Sequence, residues 1–515
     1  MQTWDDILAT AVVGTDQREF KFAARDDDLG HLLAQIDNKD REGFLLTAAS
    51  VVSLYRSAGV APPADTQPAD EACAPDEMSR ASVRSGQHLW AMLNGTFSEL
   101  LPEWLTAMKK AGKRVPEEYL PPLLIYSANE LSLHSMIADV LGRRGRWLAA
   151  QRPDWHYAIR RDDKEVWETG SREQRLLLLE HLRAADPTKA RELLVTTWSQ
   201  ESARDRVVFL EKLNTGVSPA DEEFLNQALE DRSVEVRRAA RTLLARLPSS
   251  GFSRRLQQLA NQFLSFKKPL IGKARIEVAM PEDPIAWLKE NGIEIDSPPK
   301  SATQSVGPKA WSLKELVSLI PVTHWSELWQ KPPLEIIRAG DESEWRESFI
   351  LGFLNAAHRD RDPDWLEALV KFTSSDQEQP QLIELAAFLP PVRLEALILQ
   401  ALKSERGELV DAHPAFRLLR VNRNTWSDQL SRAVVNSVKK RIAKGKDSNA
   451  DWQTKSALKQ FARSVSPALY DELASGWPTE SETWSTWAKG VDAFQSLLAF
   501  RRDMHQAILE KEEQL

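Results

Sequence analysis

Residues 231–247 read DRSVEVRRAARTLLARL, and this stretch decides the fold. Val236, Ala239, Ala240, Leu243, Leu244 and Leu247 recur at i, i+3, i+4, i+7, i+8 and i+11, which places them on one face of a helix. Arg237, Arg238 and Arg241 fall on the other side. Ser233 can cap the first turn through its hydroxyl. Pro248, followed by Ser249, Ser250 and Gly251, ends the helix. The small Ala239 and Ala240 allow a second helix to approach closely. Asp231 precedes the helix and Arg237 lies inside it, which predicts a ladder of ion pairs between stacked units.

The pattern recurs. Arg175, Arg206 and Arg237 are spaced by 31 residues, the first followed by LLLLEHL and the second by VVFLEKL. In the preceding helices, Leu193, Leu194, Thr197 and Trp198 map onto Phe224, Leu225, Ala228 and Leu229 at the same spacing. A fixed period of this size marks a repeat architecture. One helical hairpin cannot bury its own apolar face, so neighbours must stack. The predicted fold is an all-α, HEAT-like α-solenoid of stacked helical hairpins, with a small irregular or β insertion near 265–310.

Outward from the repeats, four segments are expected: an N-terminal helical region over 1–127, repeats over 128–264, an insertion and linker over 265–310, and C-terminal helical repeats over 311–515. In the first, GFLLTAASVVSLYRSA at 43–58 is apolar around more than half its circumference and should be buried. Residues 59–78, rich in Pro, Ala and Asp, read as an exposed, mobile loop. In the insertion, ARIEVAM and GIEID read as short strands around a one-turn helix at Pro284–Glu290. Residues 296–310, DSPPKSATQSVGPKA, read as a linker. Trp325 and Trp329 share one helix face.

Composition narrows the chemistry. Hydrophobic content of 42% suits a folded soluble chain. The N-terminus carries Asp5 and Asp6, unlike a signal peptide, and no apolar run has membrane-spanning length; a cytoplasmic location is expected. The single Cys73 excludes an intrachain disulfide and a Cys-rich metal site, and reads as an incidental thiol. No phosphate-binding GxxxxGK[ST], no GxGxxG after a strand, no HExxH and no GxSxG occurs. The closest histidines, His134 and His156, are too far apart for a local metal site, though not for one assembled through space. Asp360, Asp362 and Asp364 imitate a calcium loop. Trp365 and Lys371 stand where that loop needs Gly and Glu, so Asp364 reads as the start of the helix WLEALVKF. No metal and no cofactor is expected.

The net charge is −8, yet residues 231–275 hold 11 basic and only 2 acidic residues. Such a run is either a solvated helix face or a docking surface for an acidic partner or a phosphate backbone. The candidate partner-binding residues are Arg237, Arg238, Arg241, Arg254, Arg255, Lys267 and Lys268. Arg143, Arg144, Arg146 and Trp147 form a second Arg- and Trp-bearing cluster, near Arg152 and Trp155. The 18 tryptophans sit mainly near helix ends, where wedges between hairpins are the plain reading.

Four short motifs carry a resemblance: Trp4 with Gly14 and Thr15, LGRRGRWLA at 141–149, WLKENGI at 287–293 and PVTHWSELW at 321–329. In these the chain resembles a bacterial family of helical-repeat proteins of unknown function. Its members are often encoded beside a MoxR-type AAA+ ATPase, a von Willebrand A-domain protein and a SWIM zinc-finger protein. The resemblance implies an ATPase-linked, chaperone-like assembly and carries over no catalytic residue.

The first functional reading is a non-enzymatic scaffold or adaptor for protein–protein interaction, using the Trp and Arg anchors that such surfaces favour. The alternative is a nucleic-acid-binding protein, DNA-glycosylase-like in its enzymatic variant, using the basic stretch. It requires Arg238, Arg241, Arg254 and Lys268 to share one concave surface and not to be paired with acids. A third reading, a small-molecule enzyme with its site near 265–310, requires a deep pocket there.

Overall fold

The computed structural model describes residues 2–24, 26–58, 73–159, 163–290, 293–295, 307–373, 383–404, 409–445 and 451–510. Most of the 59–78 loop and of the 296–310 linker lies outside the described residues. The described chain is all-α apart from two pairs of very short strands. It falls into two compact units, Met1–Ala74 and Pro75–Leu515.

The first unit holds α1 (Gln2–Val13), α2 (Asp28–Ala34) and α3 (Arg41–Ser57). α1 and α2 both pack on α3, and Ile7, Leu33, Leu45, Ala48 and Val52 form its core. α3 is buried on one face only. Leu46 and Leu54 are 68% and 72% exposed, because α1 and α2 cover the Leu45–Ala48–Val52 stripe and leave the rest of the circumference open.

The second unit begins with α4 (Val83–Leu93), α5 (Leu101–Lys110), α6 (Leu120–Ser127), α7 (His134–Ala138), α8 (Gly142–Ala150) and α9 (Asp163–Thr169). A two-residue parallel pairing of β1 (Ser79–Arg80) with β2 (Lys113–Arg114) ties the start of the unit to the end of α5. The repeats follow as α10 (Arg172–Ala185), α11 (Pro187–Thr197), α12 (Ala203–Lys212), α13 (Glu222–Ala228), α14 (Val234–Ala245) and α15 (Gly251–Phe263).

α10 packs on α12 and α12 on α14, so the 31-residue register becomes a stack. The face read from 231–247 is the buried one: Val236, Ala240, Leu243, Leu244 and Leu247 enter one core with Leu179, Leu194, Phe209 and Leu225. The helix starts are set by side-chain caps. Ser171, Ser202, Ser233 and Ser250 each accept an N–H of the first turn. Each such cap contributes about 1 kcal/mol.

The ion-pair ladder is present, with a stagger that the sequence did not reveal. Each arginine meets an acid that lies further along the chain. Arg175 pairs with Glu201, Arg206 with Asp231 and Arg237 with Glu294. Arg237 also donates to the Asp231 carbonyl at 2.8 Å. Arg175 and Arg206 lie over Trp167 and Trp198, at 4.4 and 5.7 Å from the ring centres. The third rung takes its acid from the insertion.

After α15 the chain forms an antiparallel hairpin of β3 (Leu264–Lys267) and β4 (Arg275–Val278). α16 (Pro284–Glu290) follows it. ARIEVAM therefore supplies a strand, but its partner is LSFK. Of GIEID only 293–295 lie among the described residues; they form no strand, and Ile293 and Ile295 are buried. Helices resume with α17 (Pro308–Leu319), α18 (Val322–Trp329), α19 (Pro333–Asp341), α20 (Arg346–Asp360) and α21 (Pro363–Thr373). α17 and α20 approach so closely that a Cβ on Gly352 would lie 2.7 Å from the Val317 side chain. Trp325 and Trp329 do share a face, stacked at 4.9 Å between ring centres.

The last described helix, Trp484–Leu509, packs on helix Trp452–Ser464 and also on α4 and α5. Arg501, 1% exposed, donates to both Glu103 carboxylate oxygens at 2.9 and 3.1 Å and to the carbonyls of Ala462 and Val465 at 2.6 Å. Ser82 Oγ donates to the Ala507 carbonyl at 2.7 Å. The second unit thus joins its first helices to its last, and one apolar core runs through 81–158 and 256–508.

Candidate functional site

The basic stretch divides into residues spent on the fold and residues left at the surface. Arg237 forms a two-pronged bond to Glu294 at 2.9 and 3.1 Å. Arg241 is 4% exposed and donates to the Glu294 backbone carbonyl, with its guanidinium 3.7 Å from the carboxylate. Arg246 donates to the Asn214 carbonyl and side chain. Lys273 pairs with Glu342 at 2.5 Å and Arg275 with Glu277 at 2.9 Å. Arg238, Arg254, Arg255, Lys267 and Lys268 are exposed, and they sit on α14, the first turn of α15 and the end of β3. Arg238 lines a crevice of about 430 Å³ with Glu211, Glu235, His358 and Arg361.

The second cluster divides in the same way. Arg143 pairs with Glu77, and its backbone N–H donates to Asp76 at 2.5 Å. Arg144 lies 3.7 Å from Glu117. Trp147 is 37% exposed, while Trp155 is buried beneath Arg152 at 4.5 Å. The three aspartates at 360–364 act on backbone and arginine. Asp360 accepts from Val322 N–H, Asp362 caps α21 at Asp364 and Trp365 N–H, and Asp364, in the first turn, binds Arg393. Among the described residues no group of three His, Cys, Asp or Glu could hold a metal ion.

Arg146 belongs to a different feature, one the sequence did not single out. A cleft of about 770 Å³ opens between α5, α7, α8 and the turn after it, and α9 with α10. Its apolar wall includes Met136, Ile159, Val166, Leu177 and Leu178. Around these stand Lys109, Asp139, Arg146, Asp163, His156 and His181. The volume is in the range of sites that take a small ligand or a short peptide segment.

Its two most perturbed groups are held by the backbone. His134 stacks on Tyr157 at 4.0 Å, and its Nε2 is 3.0 Å from the Ser127 carbonyl. Burial lowers the His134 pKa, against the pull of that carbonyl, so the ring is neutral at pH 7. Tyr157 donates to the Leu124 carbonyl at 2.7 Å and lies 2.6 Å from Ser127 Oγ. Burial raises its pKa. The pair gives the cleft a rigid aromatic wall. The available sequence signal was weak: His134 and His156 are the closest histidines, and Tyr157 adjoins the second.

Fold and surface together define an all-α protein of stacked helical hairpins with an amphipathic cleft beside the stack. The chain belongs to a family of unknown function (DUF5691), whose pattern covers residues 6–508. No curated protein and no solved structure matches it. Among the described residues no helix is long and apolar enough to cross a membrane.

Proposed function

We propose that the chain is a non-enzymatic helical-repeat scaffold that docks a protein segment, working with a MoxR-type AAA+ ATPase as the sequence resemblance implies. The observation that carries this reading is the 105–181 cleft. Its aliphatic wall and its rim of both charge signs suit a peptide of mixed sequence. Its histidine–tyrosine pair is tied to backbone carbonyls and is not poised to move a proton. The nucleic-acid alternative needs Arg241 away from acids, and Arg241 is instead buried on Glu294, which counts against it.

The test is an affinity pull-down from the native host with and without ATP, run in parallel with Leu177→Asp, which places a charge on the cleft wall. Recovery of an AAA+ ATPase by the wild type, reduced by the variant, is the expected result. Recovery of nucleic acid alone, weakening steeply with salt, would overturn the reading.

A further inference from the structure

The β3–β4 hairpin holds two neighbouring aliphatic side chains out in water. Leu270 is 107% exposed and Ile271 93%, the highest values among the large apolar residues described. The base beneath them is anchored. Ile276 is buried, its carbonyl accepts from Ser343 Oγ at 2.9 Å, and Ala279 N–H donates to the Phe263 carbonyl at 2.9 Å. Phe266 packs at 5.8 Å from Trp329. The tip is a bend over 270–272. Gly272 has φ +114°, a conformation that side chains disfavour, and Pro269 lies 3.6 Å from where its Cβ would be. Leu270 and Ile271 are therefore held out in water above an anchored base. Single exposed apolar residues need no explanation, but an adjacent pair carried by an anchored hairpin is a marker of contact.

Charge at the tip narrows the partner. Lys267 and Lys268 are exposed, and among the described residues no ion pair engages them. Lys273 and Arg275 are already matched by Glu342 and Glu277. We propose that this hairpin is a docking plug: Leu270 and Ile271 enter an apolar pocket on a partner protein, and Lys267 and Lys268 meet acidic side chains on its rim. The proposal rests on the adaptor reading and names the contact that would fasten the scaffold. A bilayer surface fits less well. It calls for a cluster of about 4–8 basic residues, whereas this tip offers two unmatched lysines beside two carboxylates and carries no interfacial aromatic. The apolar pair likewise offers nothing to a phosphate backbone.

The experiment uses the full chain in its native host, with a benzophenone photo-crosslinking amino acid at position 270 and, in a second version, at position 177 in the cleft. The position-270 version is repeated with Lys267→Glu and Lys268→Glu. Both lysines are exposed, so this variant should keep the wild-type circular dichroism. The expected result at 270 is a discrete protein adduct, mapped by mass spectrometry to an apolar site flanked by Asp or Glu. Its yield should fall about tenfold or more on charge reversal, since like charges then face each other. An adduct with phospholipid, an adduct only with a second copy of the chain, or a protein adduct indifferent to the reversal overturns the plug. A protein adduct at 177 with none at 270 overturns the plug and leaves the adaptor reading standing. Absence of protein adducts at both positions removes both.

Discussion

Replacing Asp221 with Ala should damage the repeat stack more than any surface change. Asp221 and Arg183 are an ion pair with both side chains 0% exposed. The carboxylate accepts from Arg183 at 3.0 and 3.1 Å, from Arg191 at 3.1 Å and from the Ser218 N–H at 3.0 Å. Arg183 also donates to the Leu213, Thr215 and Pro187 carbonyls, so it cannot swing out to water when its partner is removed. Stranding a buried cation in this way costs about 3–5 kcal/mol. Arg183→Met combined with Asp221→Leu should recover part of that loss, because the buried Arg183 charge goes with its partner, while Arg191 and the Leu213, Thr215 and Pro187 carbonyls lose theirs. The assay is equilibrium urea unfolding followed by tryptophan fluorescence, to which Trp167 and Trp198 of this stack contribute among the chain's 18 tryptophans. Burial opposes ionisation of Asp221, but the bonds from Arg183, Ser218 and Arg191 outweigh it and hold the pKa below the ordinary aspartate value. The folded state therefore gains from this group above the unfolded pKa of about 3.9, and the gain disappears as pH falls through the lower folded value. The Asp221→Ala penalty should shrink in acid accordingly. A penalty below about 1 kcal/mol at pH 7, the level of an exposed pair, would refute the reasoning.

Other outcomes follow from the same geometry. Glu103→Ala strands Arg501 and should cost about 2–4 kcal/mol, discounted because Glu103 is partly exposed; hydrogen exchange in the Trp484–Leu509 helix should accelerate, and unchanged protection there would contradict the closure. His134 has its folded pKa lowered by burial, so stability should fall as pH drops below the unfolded value of about 6.5, and His134→Phe should flatten that slope in a pH series of melts. Gly352→Ala forces overlap with Val317 and should cost about 1–3 kcal/mol in urea unfolding. Arg241→Met should alter stability but leave any nucleic-acid affinity and its salt slope unchanged in a filter-binding titration, because Arg241 is buried against Glu294.

The cleft and the plug were hidden in the sequence for different reasons. Cleft residues come from six segments between Leu105 and His181, and no period links them. Leu270 and Ile271 stand in a short KKPLIGK run whose apolar pair could equally have been core. LSFK was masked by the helix that runs straight into it, since QQLANQF continues a helical pattern up to Phe263.

By itself the sequence determined the all-α repeat class, the buried face of 231–247, the Ser233 cap and the arginines of the ladder. These are local properties. They follow from side chains three, four or 31 residues apart, and a helix expresses them wherever it is placed. Only the tertiary structure decided which acid each arginine meets. Glu294 is 57 residues from Arg237, and Glu103 is 398 from Arg501. A carboxylate carries the same charge in every register, so composition cannot assign such pairs. Packing does so, by leaving one carboxylate within reach of each buried guanidinium. That assignment separates the arginines that the fold buries against acids from the lysines it leaves exposed at 267 and 268.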